Sequence, residues 1–573
     1  MKPDKRWTLK PADEDTINRL CNELQVQPAI CRLLALRGIK DYESARLFFR
    51  PELSHLHDPF LMKGMRKAVD RISEAIEWHE RIMVYGDYDV DGTTAVAIVY
   101  SFLKQNYDGP LSYYIPHRYR EGYGISKQGI DYAHGNGYTL MITLDCGIKS
   151  VEMIAYAQSL GIDVIVCDHH LPDAHIPPAF AILNPKQVDC KYPFKELSGA
   201  GIGFKLVSAL AMHWKQPMEK VYAYLDLVAT SIAADIVPMD GENRILAYYG
   251  IKRINESPCL AISTLKELGG VQRALSISDL VFVIGPRVNA AGRMDDARKA
   301  VEFFIETDPE KIQALAAVLH SDNDDRKEVD KSITEEALSI LSGDPVMALR
   351  KSTVLFRSHW HKGVVGIVAS RLIDHYYRPT IVLTSANGKA TGSARSVAGF
   401  NIYEAIHECR DILENYGGHF YAAGMTMDEG RVDEFIAKFE SIVAATITPD
   451  QQVPEIEIDA DIPLSLVKPS FFNLLKQFEP FGPANMKPVF LTKRLFDYQG
   501  SSMLIKEQHL RIIAHQQNGA IIEGIGFSIG DKIDIVRNGP FDMVYNIEEN
   551  EYNGNTRLQV KVVDVRKSKT PNP

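Results

Sequence analysis

Three apolar runs in the first half of the chain each end in acidic residues or histidines. The runs cover residues 81–85, 138–144 and 163–166, and helix-like segments separate them. This β-α-β-α alternation, with strands that are apolar throughout, predicts a mostly parallel sheet covered by helices on both faces. Ligands of such sheets bind beyond the carboxyl ends of the strands. The residues expected at that edge are Asp87, Asp89, Asp91, Asp145, Asp168, His169 and His170.

Carboxylates packed along one sheet edge repel each other unless cations lie between them. A further acid, Asp235, follows the helix-like run 225–234 and can close the same site from beside the sheet. A single aspartate after a strand is most often a helix cap or a turn residue. Four such segments together instead predict divalent metal ions, and the imidazoles favour Mn2+ or a comparable transition ion over Ca2+. Metal ions in this position predict hydrolysis or transfer at phosphorus.

Length and composition indicate an ordinary globular protein of several domains. At 573 residues the chain is too long for one core, so we expect three or four domains. Residues 1–16 are polar, and no apolar run is long enough to cross a membrane. The seven cysteines are scattered without a Cys-x-x-Cys pair, which is typical of buried thiols in a reducing compartment. We therefore expect a cytoplasmic protein with no membrane partner.

The charge distribution is more informative than the net charge. A net charge of −10 argues mildly against a nucleic-acid partner. However, residues 350–395 contain eight Lys and Arg residues and one acid, Asp374. A basic lobe facing an acidic metal site suits an anionic substrate that bridges the two, although basic residues could equally coat a surface.

The pattern along the chain predicts an α/β protein with a second α/β domain and a C-terminal β-barrel. A helical stop signal at 342–345 ends a long charged helix, and a proline-marked linker at 448–454 precedes a strand-rich region. Two glycine-rich loops are expected at 390–396 and 416–420. The predicted divisions are an N-terminal helical lead-in (1–75), a catalytic domain with a mostly parallel sheet (76–305), a long connecting helix (306–345), a second α/β domain (346–447), a barrel of the oligonucleotide-binding (OB) type (455–567) and a loose tail (568–573).

These residues resemble the DHH phosphoesterases. The set at 87–92, 145, 168–170 and 235 matches the DHH motifs, and residues 392–396 and 417–419 resemble the accompanying DHHA1 domain. Within that family, nearly the whole chain is similar to the bacterial single-strand-specific 5′→3′ DNA exonucleases of recombination and mismatch repair. The stretches that carry this narrower resemblance are 116–118, 122–124, 287–293, 360–371 and 479–483. The resemblance implies a metal-dependent nuclease that releases 5′-mononucleotides.

The same resemblance implies roles for the acidic and histidine residues. It implies two Mn2+ or Mg2+ ions, one held by Asp87 and Asp89 and the other by Asp91 and His169. Asp145 would bridge the two ions, and Asp235 would contribute to one or both. His170 would face the phosphate rather than a metal, and Asp168 completes the catalytic set.

Cleavage in one direction along a DNA strand requires a site that recognises the end of the strand. Glycine-rich loops allow backbone N–H groups to approach phosphate closely, and an arginine adds bidentate donors. For the terminal 5′ phosphate the candidates are Ser393, Arg395, Gly417, Gly418 and His419, and for phosphates near the metals they are Arg118, Arg287, Asn289 and Arg293. Without the resemblance, a simple turn and an acid-paired arginine would explain these residues as well.

Single-strand selectivity is expected from a narrow passage between two lobes. Unstacked bases could rest on Tyr119, Tyr123 or Trp360, although each could equally pack in the core. The barrel would add binding contacts to the downstream part of the single strand. The resemblance suggests a monomer that acts on single-stranded DNA beside a single-stranded DNA-binding protein and a RecQ-type helicase.

Two other readings stay open at this point. A small-substrate phosphoesterase, such as a nanoRNase, a phosphoadenosine phosphatase or a manganese pyrophosphatase, shares the acidic motifs, but it needs neither the barrel nor this length. A non-enzymatic DNA-binding scaffold with a decayed site is disfavoured because the crowded acids and histidines are intact.

Overall fold

A computed structural model describes residues 5–517, 519–552 and 555–569. Residues 570–573, most of the predicted tail, lie outside the described residues. The chain begins with a strand and four helices: β1 (Arg6–Leu9), α1 (Glu14–Leu24), α2 (Pro28–Ala35), α3 (Tyr42–Phe49) and α4 (Met65–Glu77). In the described part of the chain, no helix combines the length and apolarity that a bilayer crossing requires.

The catalytic lobe is built on a five-stranded, fully parallel sheet, in agreement with the prediction. Its strand order is β3-β2-β4-β5-β6, and of the three inner strands, β2 and β4 are buried along their whole length. The sheet and its covering helices are β2 (Ile82–Gly86), α5 (Val90–Asn106), β3 (Leu111–Tyr114), α6 (Lys127–Gly135), β4 (Leu140–Leu144), α7 (Val151–Ser159), β5 (Asp163–Cys167) and β6 (Ala181–Leu183).

A helical layer completes this lobe. Its members are α8 (Gly199–His213), α9 (Glu219–Tyr222), α10 (Leu225–Asp235), α11 (Gly241–Glu256), α12 (Leu260–Leu268), α13 (Ile277–Asp279), α14 (Gly285–Met294) and α15 (Arg298–Ile305). Helices α5, α8 and α10 pack together and share one apolar core with the sheet. This layer places the start of α8 and the end of α10 beside the carboxyl edge of the strands.

The predicted connecting helix is confirmed as α16 (Pro309–Gly343), a single helix of 35 residues. Asp308 caps its start by accepting hydrogen bonds from the backbone N–H groups of Glu310 and Lys311. The short α17 (Pro345–Leu349) leads into the second lobe.

The second lobe is an α/β unit with a five-stranded sheet of order β10-β11-β9-β8-β7. Its elements are β7 (Thr353–Phe356), α18 (Val365–His375), β8 (Thr380–Ala386), β9 (Lys389–Arg395), α19 (Ile402–His407), β10 (Leu413–His419), β11 (Ala422–Asp428) and α20 (Val432–Thr446). The expectation of two glycine-rich loops was wrong, because both segments are strands. A Cβ on Gly392 would lie 2.1 Å from the Val382 carbonyl oxygen, so glycine here permits close strand approach rather than a turn.

The C-terminal region forms a seven-stranded sheet of order β13-β14-β18-β19-β17-β16-β15. An additional pairing of β14 with β16 curls the sheet toward closure, as an OB-type fold requires. The elements are β12 (Glu455–Ile458), β13 (Ala460–Asp461), α21 (Pro469–Lys476), β14 (Phe490–Asp497), β15 (Met503–Ile505), β16 (His509–His515), β17 (Ile521–Gly526), α22 (Ile533–Arg537), β18 (Phe541–Tyr552) and β19 (Asn555–Lys567).

The N-terminal segment is not an independent lead-in. β1 pairs in parallel with β12, and helices α1 to α3 share a core with the C-terminal sheet. By contrast, α4 packs on the catalytic lobe against β6 and α8. The pairing joins residues about 450 positions apart, as in Arg6 with Glu455, so local sequence patterns do not show it.

One arginine fastens this C-terminal unit to the catalytic lobe. Arg244 of α11 is 4% exposed and donates hydrogen bonds to the backbone carbonyls of Phe48 (3.1 Å), Phe478 (2.8 Å) and Glu479 (3.0 Å). Its guanidinium carbon also lies 3.8 Å from the centre of the Phe48 ring. The OB-type region is therefore held in a defined position relative to the sheet edge.

Candidate metal centre and phosphate-binding cleft

Side chains from four separate segments meet at the carboxyl edge of the parallel sheet. The Nε2 atom of His169 lies 3.2 Å from a carboxylate oxygen of Asp145, 3.5 Å from one of Asp235 and 3.7 Å from one of Asp91. A second group, formed by Asp87, Asp89 and Asp145, has its ligand atoms within 4.8 Å of one another. We call these six residues the acid cluster. The structure thus brings together most of the side chains that the sequence placed at this edge, while Asp168 and His170 lie beside the cluster.

The start of helix α8 anchors one carboxylate of the acid cluster. Asp91 accepts hydrogen bonds of 2.7 Å from the backbone N–H groups of Gly199 and Ala200 and from the Ser231 hydroxyl. A helix N-terminus stabilises an anion through its free N–H groups and its dipole. Sequence reasoning missed these three residues, although Ser198 followed by a glycine-rich run is a recognisable helix start.

Several polar atoms of the acid cluster are buried without a partner. One carboxylate oxygen each of Asp87 and Asp145, and both ring nitrogens of His169, make no hydrogen bond to any described residue. Such groups are costly to bury unless something satisfies them. Carboxylate oxygens together with an imidazole form a donor set that fits Mn2+ or Mg2+. The residues present therefore fit divalent cations.

The electrostatics of the acid cluster lead to the same conclusion. Burial, and then the charge of neighbouring carboxylates, raises the pKa of Asp87, Asp89 and Asp145. Burial and the carboxylates of Asp91 and Asp89 raise the pKa of Asp235 to about 9. Divalent cations reverse this, because their charge favours the ionised carboxylates.

Asp168 lies against His170 rather than within the acid cluster. One of its oxygens is 2.7 Å from Nδ1 of His170, and the other accepts a hydrogen bond from the Ile148 backbone N–H at 2.9 Å. Burial opposes ionisation of Asp168, but the hydrogen bonds from His170 outweigh it and lower the pKa of this carboxyl to about 2. Nε2 of His170 lies 3.2 Å from the Tyr123 hydroxyl. Asp168 therefore orients an imidazole that stands beside the acid cluster.

Three arginines come together between the two lobes. The Arg118 guanidinium lies 4.8 Å from the centre of the Tyr88 ring, Arg293 donates to the Gly363 carbonyl at 3.1 Å, and Arg395 donates to the Ser393 hydroxyl at 2.6 Å. None of the three forms an ion pair with a described carboxylate.

Two of these arginines have a lowered pKa. Burial, followed by the charge of Arg118, lowers the pKa of Arg395 and lowers that of Arg293 to about 10. Half-buried like charges that have no acidic partner among the described residues indicate an anion-binding site. We call Arg118, Arg293 and Arg395 the arginine cluster.

The remaining predicted phosphate ligands differ in their positions. The Arg287 guanidinium faces α16, where it contacts Nδ1 of His320 at 3.2 Å, and it donates to the Val283 carbonyl at 2.6 Å. The expected phosphate contact of Arg287 stays a prediction. The Asn289 side chain accepts from the Val90 backbone N–H at 3.2 Å and so supports the first acidic motif.

The exposed end of β10 carries Gly417, Gly418 and His419. Burial, and then the charge of Arg395, lowers the pKa of His419, which places this histidine near the arginine cluster. Among the aromatic candidates for base stacking, Trp360 is 3% exposed and donates to Glu336, so it belongs to the core. Tyr119 donates to the Arg293 carbonyl, whereas Tyr123 stays exposed.

Two glycines of the second lobe matter for the cleft and were not identified as site residues from the sequence. A Cβ on Gly366, in the first turn of α18, would lie 2.9 Å from Nη2 of Arg395 and 3.1 Å from the Ser393 hydroxyl. A Cβ on Gly363 would lie 2.5 Å from the Arg293 carbonyl oxygen. These glycines let the start of α18 approach the arginine cluster, and their spacing before an apolar helix is the signal that could have revealed them.

The fold and the site together define a two-lobed phosphoesterase of the DHH type with a C-terminal OB domain. The model of the DHH family, N-terminal domain, matches residues 81–232, that of the DHHA1 domain matches 349–445, and that of the RecJ OB domain matches 458–564. The chain is 35% identical to the single-stranded-DNA-specific exonuclease RecJ of Bacillus subtilis, over 98% of this chain and 70% of the relative. It is 33% identical to that of Salmonella typhimurium, over 99% of this chain and 100% of the relative. The chain belongs to the RecJ family.

Solved structures agree with this assignment. The crystal structure of RecJ from Thermus thermophilus in complex with Mn2+ superposes with a TM-score of 0.83 at 29% identity, covering 99% of this chain and 80% of that chain. The corresponding structure with Mg2+ gives a TM-score of 0.78. The family resemblance and the fold class predicted from the sequence are thus confirmed. The predicted domain boundaries stay predictions.

Proposed function

We propose that this protein is a single-strand-specific 5′→3′ DNA exonuclease that hydrolyses phosphodiesters with two Mn2+ or Mg2+ ions. The observation that carries the proposal is the acid cluster, with its unpartnered buried oxygens and imidazole nitrogens, beside an arginine cluster that has no acidic partner in the described part of the chain. Relatives named as single-stranded-DNA-specific exonucleases support it, as do the RecJ structures in complex with Mn2+ and Mg2+.

We assign the metal ligands as the sequence and the geometry suggest together. Asp87 and Asp89 would hold one cation, Asp91 and His169 the other, with Asp145 between them and Asp235 beside His169. Bound there, the cations would lower the pKa of an attacking water and stabilise charge on the phosphate. Gly199, Ala200 and Ser231 fix the Asp91 carboxylate, so this ligand needs no rearrangement when a cation binds.

His170 is assigned to the scissile phosphate. Asp168 fixes its Nδ1 side, and the opposite nitrogen, Nε2, contacts only the exposed Tyr123 among the described residues. The bond that breaks is between phosphorus and the 3′ oxygen of the terminal nucleotide, so the product is a 5′-mononucleotide.

The arginine cluster, together with Ser393 and the start of α18, is assigned to the terminal 5′ phosphate. Guanidinium groups bind phosphate with two parallel hydrogen bonds, and the helix N-terminus adds backbone donors. A fixed distance between this pocket and the acid cluster would define both the direction and the size of the product. The passage between the lobes and the OB domain would hold the downstream strand in a salt-dependent, sequence-independent manner.

The test of the metal centre is Asp145→Ala, with Asp108→Ala as the matched control. Asp108 is exposed in the loop before β3, at the opposite edge of the sheet. In Mn2+ and on 5′-labelled single-stranded DNA, we expect Asp145→Ala to release no mononucleotides while DNA binding, measured by fluorescence anisotropy, persists. The control should match the wild type. Near-normal cleavage by Asp145→Ala would refute the assignment.

The test of the end-binding pocket is Arg395→Ala, with the exposed Arg410→Ala of the same lobe as control. The preference for 5′-phosphorylated over 5′-hydroxyl strands should fall for the first variant alone. An unchanged preference would remove the pocket from this proposal. Comparing a long strand with a dinucleotide as substrate separates this function from a small-substrate phosphoesterase.

We also propose, from the family alone, a role in recombinational and mismatch repair beside a RecQ-type helicase and a single-stranded DNA-binding protein. The cytoplasmic location and the monomeric state stay predictions.

A further inference from the structure

An isoleucine next to the acid cluster has an unusual backbone conformation. Ile236, which follows Asp235 at the end of α10, has φ 60° and ψ 30°, in the left-handed helical region. Glycine or asparagine is usual at such a helix end, and a β-branched residue is unfavourable there. The structure therefore keeps an isoleucine where a smaller residue would fit the backbone better.

Packing does not explain this isoleucine. Ile236 is 67% exposed, whereas Val237, which follows it, is 8% exposed. The side chain thus projects outward from a segment whose preceding residue, Asp235, reaches into the acid cluster, 3.5 Å from His169. Consecutive Cα atoms are only about 3.8 Å apart, so Ile236 stands at the edge of the cluster.

A second exposed aliphatic residue has the equivalent place on the other histidine segment. Leu171 directly follows His170 and is 69% exposed. Nδ1 of His170 lies 3.9 Å from a carboxylate oxygen of Asp145, so this segment also borders the acid cluster. Aliphatic side chains cannot ligate cations, and a purely ionic site has no need of them.

We propose that Leu171 and Ile236 form an apolar rim around the acid cluster that contacts the nucleoside of the nucleotide being removed. The inference rests on the proposed nuclease function, because a phosphodiester held at the cluster carries its sugar and base outward past this rim. Aliphatic contact with a sugar and a base face is independent of base identity, as an exonuclease of every sequence requires. The rim would determine affinity for the terminal nucleotide, and the cluster would perform the chemistry.

The decisive variant is Ile236→Gly. Relief of the backbone strain should increase stability, whereas loss of the side-chain contact should weaken substrate binding. Removing the strained side chain should raise Tm by about 1 °C, whereas loss of the rim contact should raise KM for single-stranded DNA about three- to tenfold with kcat unchanged. Leu171→Ser should raise KM similarly without the gain in Tm. Ile236→Val, which keeps a branched aliphatic side chain, should stay close to the wild type.

Lys215→Gly is the matched control. Lys215 also has a positive φ of 53° after a helix, but it follows the far end of α8, about 22 Å from the start of that helix at the acid cluster. The Lys215→Gly variant should therefore gain stability with no change in KM for single-stranded DNA.

Three results would refute the proposed contact between the apolar rim and the nucleoside. They are an unchanged KM in both Ile236→Gly and Leu171→Ser, an equal rise in KM in Lys215→Gly, or a rise in the Mn2+ concentration needed for half-maximal activity of Ile236→Gly. The last result would mean that the substitution displaces Asp235 rather than removing a nucleoside contact. If the wild-type protein released no nucleotides at all, the proposed function would fail before the rim is tested.

Discussion

Close packing between helix α8 and Asp145 gives the sharpest quantitative prediction. Gly199 is the first residue of α8, and its N–H group donates to Asp91. A Cβ at this position would lie 2.7 Å from Cβ of Asp145 and 2.8 Å from one of its carboxylate oxygens. Ordinary contacts between carbon atoms are about 3.5–4.0 Å, so Gly199→Ala requires Asp145 to move by about 1 Å.

The two consequences of this substitution differ greatly in size. Overpacking costs about 1–3 kcal/mol, and alanine in place of glycine in a helix returns up to about 1 kcal/mol, so the protein should lose only about 0–3 kcal/mol of stability. A misplacement of about 1 Å at a catalytic group can cost about a hundredfold in rate. Gly199→Ala should therefore remain folded and release nucleotides about a hundredfold more slowly, with weaker Mn2+ binding.

The control is Gly201→Ala, two residues further along the same helix. A Cβ on Gly201 would lie 3.4 Å from its nearest neighbours in Leu197 and Ser198, which is an ordinary contact. This variant should keep full activity and gain stability of up to about 1 kcal/mol. Initial rates on single-stranded DNA, calorimetric titration with Mn2+ and urea unfolding measure all three quantities. Wild-type turnover and Mn2+ affinity in Gly199→Ala would refute the reasoning that Asp145 must keep this position.

Three further predictions follow from the same contacts. Gly366→Ala should reduce the preference for 5′-phosphorylated strands several-fold without changing Mn2+ affinity, because the added methyl group displaces Arg395; an unchanged preference would argue against a pocket at the start of α18. Arg244→Met should destabilise the protein in urea by about 3–5 kcal/mol by leaving buried carbonyls unpaired, whereas Lys252→Met, exposed on the same helix, should stay within about 0.5 kcal/mol. Mn2+ at a hundred times its Kd should stabilise the wild type by about 2.7 kcal/mol in thermal unfolding, and the gain should shrink in Asp145→Asn; equal gains in both would mean that Mn2+ binds elsewhere.

The acidic half of the site was predictable because its geometry follows from local rules. Three of the four acidic segments follow an apolar strand, and parallel strands bring their carboxyl ends to one edge, whereas Asp235 ends helix α10. Asp145 and His169 therefore had to be neighbours once the sheet was inferred. The sequence could not separate Asp168 from this group, because only the fold shows its carboxylate turned toward His170 and Ile148.

The glycine-rich segments show where local reasoning failed. Glycine is depleted in strands, so residues around Gly392 and Gly417 suggested loops. In the structure the same glycines allow neighbouring strands to approach, which tertiary packing decides and propensity does not. Arg395 is consequently held on a rigid strand, which suits a pocket that must measure a fixed distance from the metal centre.

The C-terminal domain also depends on residues that no local pattern connects to it. Helices α1 to α3 contribute Leu20, Leu33 and Leu34 to the core that contains Phe471 and Phe490. A truncation after residue 448 would therefore expose the core of the N-terminal helices as well as remove the proposed DNA-binding surface. Weaker DNA binding by such a fragment would not identify the OB domain as the cause, and substitutions on its exposed strands are the cleaner test.

The arginine cluster is informative because of the contacts that its members lack. Arg118, Arg293 and Arg395 come from three distant segments, and each is a common surface residue when read alone. Their convergence lowers the pKa of Arg293 to about 10, first through burial and then through neighbouring positive charge, so the arrangement is unfavourable by itself. The acid cluster is unfavourable for the opposite reason, because it buries negative charges close together. Under the proposed function, a 5′-phosphorylated strand bound together with divalent cations would relieve both, because each unfavourable charge would gain a partner of opposite sign.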